Sequence, residues 1–179
     1  VATQIISGNG TLTAGSFSNF IISNEIVAQK NITLNNIEVA SIGSLLIDPT
    51  KQLTVNGNLV NNGIFTLKSD LNGTATLLTS NISGSGIYNV QQYLTGQNSG
   101  TAPNGRMWYV STPMSNATSH VFDAASPLNK LWSYNETTFG YTEITNNTTA
   151  LTVGNGYVAR LGANTTIEFS SNNINNGNF

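Results

Sequence analysis

Apolar and polar positions alternate in short bursts along most of the chain. Ile32-Thr33-Leu34, Ile37-Glu38-Val39, Leu45-Leu46-Ile47, Leu53-Thr54-Val55, Leu59-Val60 and Ile64-Phe65-Thr66-Leu67 are examples. They recur about every 6 to 10 residues, the rhythm of a sandwich or a coiled solenoid of strands. Helix signals are nearly absent, because Glu, Lys, Arg and Met are scarce and β-branched residues abundant. The best helical stretch is Ser115 to Ser126, around His120-Val121-Phe122, and it is short. Asn-Gly, whose residues both tolerate positive φ, punctuates the bursts and predicts turns. It stands at Asn9, Asn56, Asn62, Asn72, Asn104, Asn155 and Asn176.

Two regimes follow from the side chains. Up to Leu94 the bursts are very short and aliphatic, and large aromatics are few: Phe17, Phe20, Phe65, Tyr88 and Tyr93. That suits a solenoid whose turns stack aliphatic side chains inward and carry Asn at the corners, where amides can bond from turn to turn. An ordinary sandwich is the competing reading of this half. From Arg106 on, aromatics rise. Met107-Trp108-Tyr109-Val110, Gly156 to Leu161 and Thr166 to Phe169 read as strands. Leu131 to Tyr134 and Tyr141 to Ile144 read as a hairpin across Asn135 to Gly140. Between the regimes, Thr95 to Gly105 holds Gly, Ser, Asn and Pro and no core residue, the composition of a linker. The expected fold is all-β. A β-solenoid-like (parallel β-helix) half spans 1–94, a linker 95–105, and an antiparallel β-sandwich-like half 106–179. The last is expected to be incomplete at its C-terminus, since Asn175 to Phe179 stops where a further strand should begin. The start reads as mid-strand, so the chain is expected to be a piece of something longer.

Composition narrows the function. Only 8% of the residues are charged and the net charge is −2, with six Lys and Arg against eight Asp and Glu. Nucleic-acid binding needs clustered cations, and so does a polybasic membrane surface. No apolar run approaches the length of a membrane span. The 39% apolar content argues against disorder. Asn, Thr, Ser and Gly replace the charge, and Asn alone is about 15% of the chain. Cys is absent, which fits a reducing compartment or a bacterial exterior where the fold does without disulfides.

Candidate chemistry is sparse. His120 is the only histidine, and Asp123 follows three residues on without any G-x-S-x-G nucleophile elbow, so a triad is not expected. The eight acids are spread along the chain, which disfavours the paired carboxylates of a glycosidase. With no Cys and one His, zinc has no ligand set. Asp70-Leu71-Asn72-Gly73 reads as an Asx turn rather than a calcium loop. Gly84-Ser85-Gly86 lacks the Lys of a phosphate loop. No catalytic residue, metal or cofactor is expected. The aromatics remain. Alternation separates Trp108 and Val110 from Tyr109, and Trp108 and Trp132 are expected in the core. Tyr134, Phe139 and Tyr141, around the hairpin tip, are the expected exposed aromatic contact for a ligand.

Several segments resemble the repeated core segments of large surface proteins of Bacteroidota. They are LTVNGNLVNNGIFTLKSDL (Leu53 to Leu71), YNVQQYL (Tyr88 to Leu94), GRMWYVSTP (Gly105 to Pro113), KLWSY (Lys130 to Tyr134) and GNGYVAR (Gly154 to Arg160). The resemblance covers Asn31 to Phe169. It implies a non-catalytic structural or adhesive module of an extracellular adhesin exported by type IX secretion, acting as a rigid stalk or surface-attachment element. Partners would be neighbouring modules of the same parent chain, and glycans or solid surfaces. The alternative is a carbohydrate-binding module of a secreted polysaccharide-degrading protein.

Overall fold

A computed structural model describes residues 3–6, 10–12, 16–100 and 102–175, with side chains from Phe20 onward. Expectations at Asn9, at the Asn176-Gly177 turn and at Phe179 fall outside these residues. The chain is all-β, with 55% strand and 3% helix. It divides into two compact units near Gln92 and Tyr93.

The first unit is a parallel β-solenoid of about three turns. Strands β1 (Thr3–Ile6), β3 (Ser16–Ile22), β5 (Ile32–Val39), β7 (Gln52–Asn61) and β11 (Thr76–Ser83) stack in that order as one parallel sheet. Strands β2 (Gly10–Leu12), β4 (Glu25–Ala28), β6 (Ser44–Ile47), β8 (Ile64–Leu67) and β12 (Ile87–Leu94) stack as a second. A small antiparallel hairpin, β9 (Ser69–Asp70) and β10 (Gly73–Thr74), projects between β8 and β11. There Asp70 Oδ1 accepts from the Asn72 N–H at 2.7 Å, the expected Asx turn.

Register places like over like, so inward side chains form continuous columns. Phe20, Ile37 and Leu59 make one. Ile26, Leu45, Phe65 and Tyr88 make another, and all are buried. The turns lengthen along the stack. Thr3 pairs with Asn19, 16 residues on, whereas Gln52 pairs with Thr76, 24 on. The second column grows from aliphatic to aromatic in the same direction, and the Phe65 and Tyr88 rings meet at 5.7 Å. A third column, Ile22 and Val39, ends on Asn61, which is fully buried. Its amide satisfies backbone that the corner leaves unpaired, donating to Ile87 O at 3.0 Å and accepting from the Gly63 N–H at 3.2 Å.

Asn residues do bond from turn to turn, as expected, and several of these bonds go to backbone. Asn31 Oδ1 accepts from the Gln52 N–H at 3.0 Å and Asn36 Oδ1 from the Asn58 N–H at 2.8 Å. Asn56-Gly57, expected as a turn, lies inside β7 and forms a bulge, because the β5–β7 register slips between Leu34 and Ile37. Glycine is needed there: a Cβ on Gly57 would sit 2.4 Å from Asn36 Oδ1.

The second unit has antiparallel sheets. The expected linker is structured: Asn98–Ser99 (β13) pairs with Ala102–Pro103 (β14), and the Gln97 N–H donates to Leu161 O at 2.9 Å. Four strands form the main sheet in the order β15 (Trp108–Val110), β18 (Tyr157–Arg160), β16 (Lys130–Asn135), β17 (Gly140–Ile144). A further strand, β19 (Thr165–Ser171), follows β18 in the chain. Alternation gives the main sheet one buried face of Val110, Tyr157, Ala159, Leu131 and Ile144. The predicted helical stretch reduces to a single 3-10 turn at Ser119–Phe122, where Phe122 meets Phe169 edge-on at 6.1 Å.

Candidate functional site

The opposite face of this sheet carries the candidate site. β15, β18, β16 and β17 set Tyr109, Val158, Trp132 and Glu143 side by side in one row. The next row sets Tyr134 directly against Tyr141, their rings 5.1 Å apart and tilted by 57°. The row on the other side sets Arg160 against Lys130. Tyr109 is 77% exposed, Tyr141 57% and Tyr134 45%. Met107, Tyr109, Trp132, Tyr141 and Val158 line a shallow cleft of about 380 Å³. A second, more polar hollow of about 440 Å³ lies where Tyr134 meets Glu136 and the Gly154-Asn155-Gly156 loop.

The structure thus brings together two of the three aromatics expected from sequence, Tyr134 and Tyr141. Phe139 stands apart, at the tip of the β16–β17 hairpin. It is 83% exposed and held at φ 53°, a left-handed conformation unusual for a bulky residue. Trp132 is a correction. Expected in the core, it shares the open face with Tyr134, because residues two apart in a strand point the same way. Trp108 has the expected neighbour, Val110, on its face but is only half-buried. Its Nε1 donates to Thr95 O at 2.9 Å, and Arg106 stacks 4.2 Å from its ring. Tyr109 and Met107 complete the platform and were not singled out by sequence. The signal was present in the parity of Trp132, Tyr134 and Tyr141, but the pairing of β15 to β18 is not local.

His120 is exposed on the 3-10 turn, and Asp123 takes a hydrogen bond from Asn147 at 3.0 Å. No group of three or more His, Cys, Asp or Glu gathers among the described residues. Lys130 is ion-paired with Glu143 at the margin of the platform. Chemically, the face offers ring planes bordered by a few polar groups, which suits a flat, partly apolar ligand carrying hydroxyls.

Comparison with known proteins finds no matching family model, no matching curated protein and no matching solved structure.

Proposed function

We propose that the chain is a non-catalytic adhesive module of an extracellular bacterial surface protein, with a rigid solenoid and a separate sheet that binds glycans. One observation carries this reading: Tyr109, Trp132, Tyr134 and Tyr141 share one open sheet face, and three of them, Tyr109, Trp132 and Tyr141, line a cleft there. Aromatic rings held on a stiff sheet lose little entropy when a pyranose stacks on them, and their edges leave the sugar hydroxyls free to hydrogen-bond. The solenoid supports the other half of the reading. Its cohesion rests on backbone ladders and aliphatic columns, with one ion pair, Lys68 to Asp48 at 2.9 Å, among its described residues. Little of its stability is therefore exposed to salt.

A glycan-array screen with the purified chain tests this, run beside a Tyr134→Ala, Tyr141→Ala double variant and a Trp132→Ala variant. Saturable binding to at least one glycan is expected, weakened at least about tenfold in both variants. Binding by the wild type that both variants retain would move the site off this face. No binding to any glycan would leave a stalk segment. Tight binding to a soluble polysaccharide would favour the carbohydrate-binding module of a secreted polysaccharide-degrading protein.

A further inference from the structure

The charge at one end of the aromatic face says what kind of saccharide suits it. Arg160 and Lys130 occupy the row beside Trp132 and Val158. Lys130 is neutralised by Glu143, which itself stands directly opposite Trp132. Arg160 enters neither ion pair found among the described residues, and its Nε is buried without a hydrogen-bond acceptor. A guanidinium partly shielded from water and lacking a counter-ion is an unspent interaction. Its attraction for an incoming anion is stronger than that of a fully hydrated cation. On this face, the cation outside both ion pairs is Arg160, in the row beside Trp132.

Resting on the glycan reading above, we propose that Arg160 makes this face selective for acidic saccharides, pairing with the carboxylate of a uronic acid whose ring stacks on Trp132. The planar fork of a guanidinium matches a carboxylate with two parallel hydrogen bonds, which an ammonium cannot reproduce. The neighbouring Lys130–Glu143 pair contributes no net charge, so the preference depends on Arg160 alone.

The test uses immobilised saccharides in matched sets: neutral, uronic-acid and sulfated members with the same linkage. The wild type should bind uronic-acid members about tenfold more tightly than their neutral partners, roughly the worth of one charge-assisted hydrogen bond. That margin should shrink as salt is raised. Arg160→Gln should erase the margin while keeping neutral-sugar binding, and Arg160→Lys should recover only part of it. The Tyr134→Ala, Tyr141→Ala variant should instead weaken neutral and acidic members alike. Equal wild-type affinity for neutral and acidic members would overturn the role of Arg160 and leave the stacking site standing. Binding confined to sulfated members would overturn the carboxylate assignment. Binding to none would overturn both readings. If Arg160→Gln does not fold, as seen by its unfolding midpoint, the Arg160→Lys variant and the salt titration of the wild type decide the matter.

Discussion

The two units treat their aromatic residues in opposite ways. In the solenoid, Phe65 and Tyr88 lie inside, buried at the wide end of an aliphatic column, while outward positions of β5 and β7 pair Thr33 with Thr54. In the antiparallel sheet, aliphatic and small residues fill the buried face, and Tyr109, Trp132, Tyr134 and Tyr141 occupy the other. The stacked turns explain the first arrangement, since each inward side chain must match the ones above and below it. Nothing in strand pairing explains the second. Exposed rings such as Tyr109, Tyr134 and Tyr141 gain little for folding and raise the risk of association, and the proposed binding role accounts for their gathering on one face.

The sharpest way to break this comparison is to shorten one aromatic in each unit. Phe65→Ala should cost about 3–5 kcal/mol, through lost burial and a cavity next to Tyr88. Tyr141→Ala, on the open face, should change stability by no more than about 1 kcal/mol while weakening ligand binding. Chemical denaturation of both variants checks this, and equal costs would mean that the open face is part of a core.

Alkaline pH separates the units by a smaller effect. Burial pushes the Tyr88 hydroxyl up to about 12 from its ordinary 10.0, and the nearby Asn61 side chain offsets only part of that. Among the described residues, Asn61 is near the Tyr88 Oη but no group meets full hydrogen-bonding geometry to it. Because the folded value is raised, the stability associated with a neutral Tyr88 is fully present below pH 10. It falls as pH rises from about 10 to about 12, by roughly 2 to 3 kcal/mol. Tyr88→Phe should abolish that loss. It should also gain about 1 kcal/mol at neutral pH by removing a buried hydroxyl without a partner. Unfolding midpoints measured across this pH range would show it, and an unchanged alkaline loss in Tyr88→Phe would place its origin elsewhere.

How much of this was legible in the sequence follows from the range of the interactions. The short aliphatic bursts from Ile32 to Leu67 announced the stacked strands, because inward positions and strand length are local properties. The hairpin from Leu131 to Ile144 was equally local, and with it the meeting of Tyr134 and Tyr141. Asn56-Gly57 misled, since the dipeptide that makes turns also makes bulges, and only Asn36 of the preceding turn decides between them. Trp132 misled for a different reason. Size and apolarity favour burial, and only the full strand order shows which face of its sheet is covered.

Two strained residues give the last and smallest contrast. Thr50 and Phe139 both sit in the left-handed region, at φ 67° and 53°. Thr50 follows Pro49 in the turn closed by the Lys51 N–H on Asp48 O at 3.0 Å. A positive φ at that position favours glycine, and a β-branched side chain is poorly suited to it. Thr50→Gly should therefore stabilise the solenoid by about 1 kcal/mol, the relief of strain exceeding the added freedom of the unfolded chain. Phe139→Gly should relieve its hairpin by a similar amount. If the exposed Phe139 ring at the hairpin tip also touches the ligand, the same change should weaken glycan binding, whereas Thr50→Gly should leave binding untouched. Unfolding curves and binding isotherms on the two variants separate the cases. Phe139→Gly with gained stability and full binding would mark its ring as a bystander, and would confine the site to Tyr109, Trp132, Tyr134 and Tyr141.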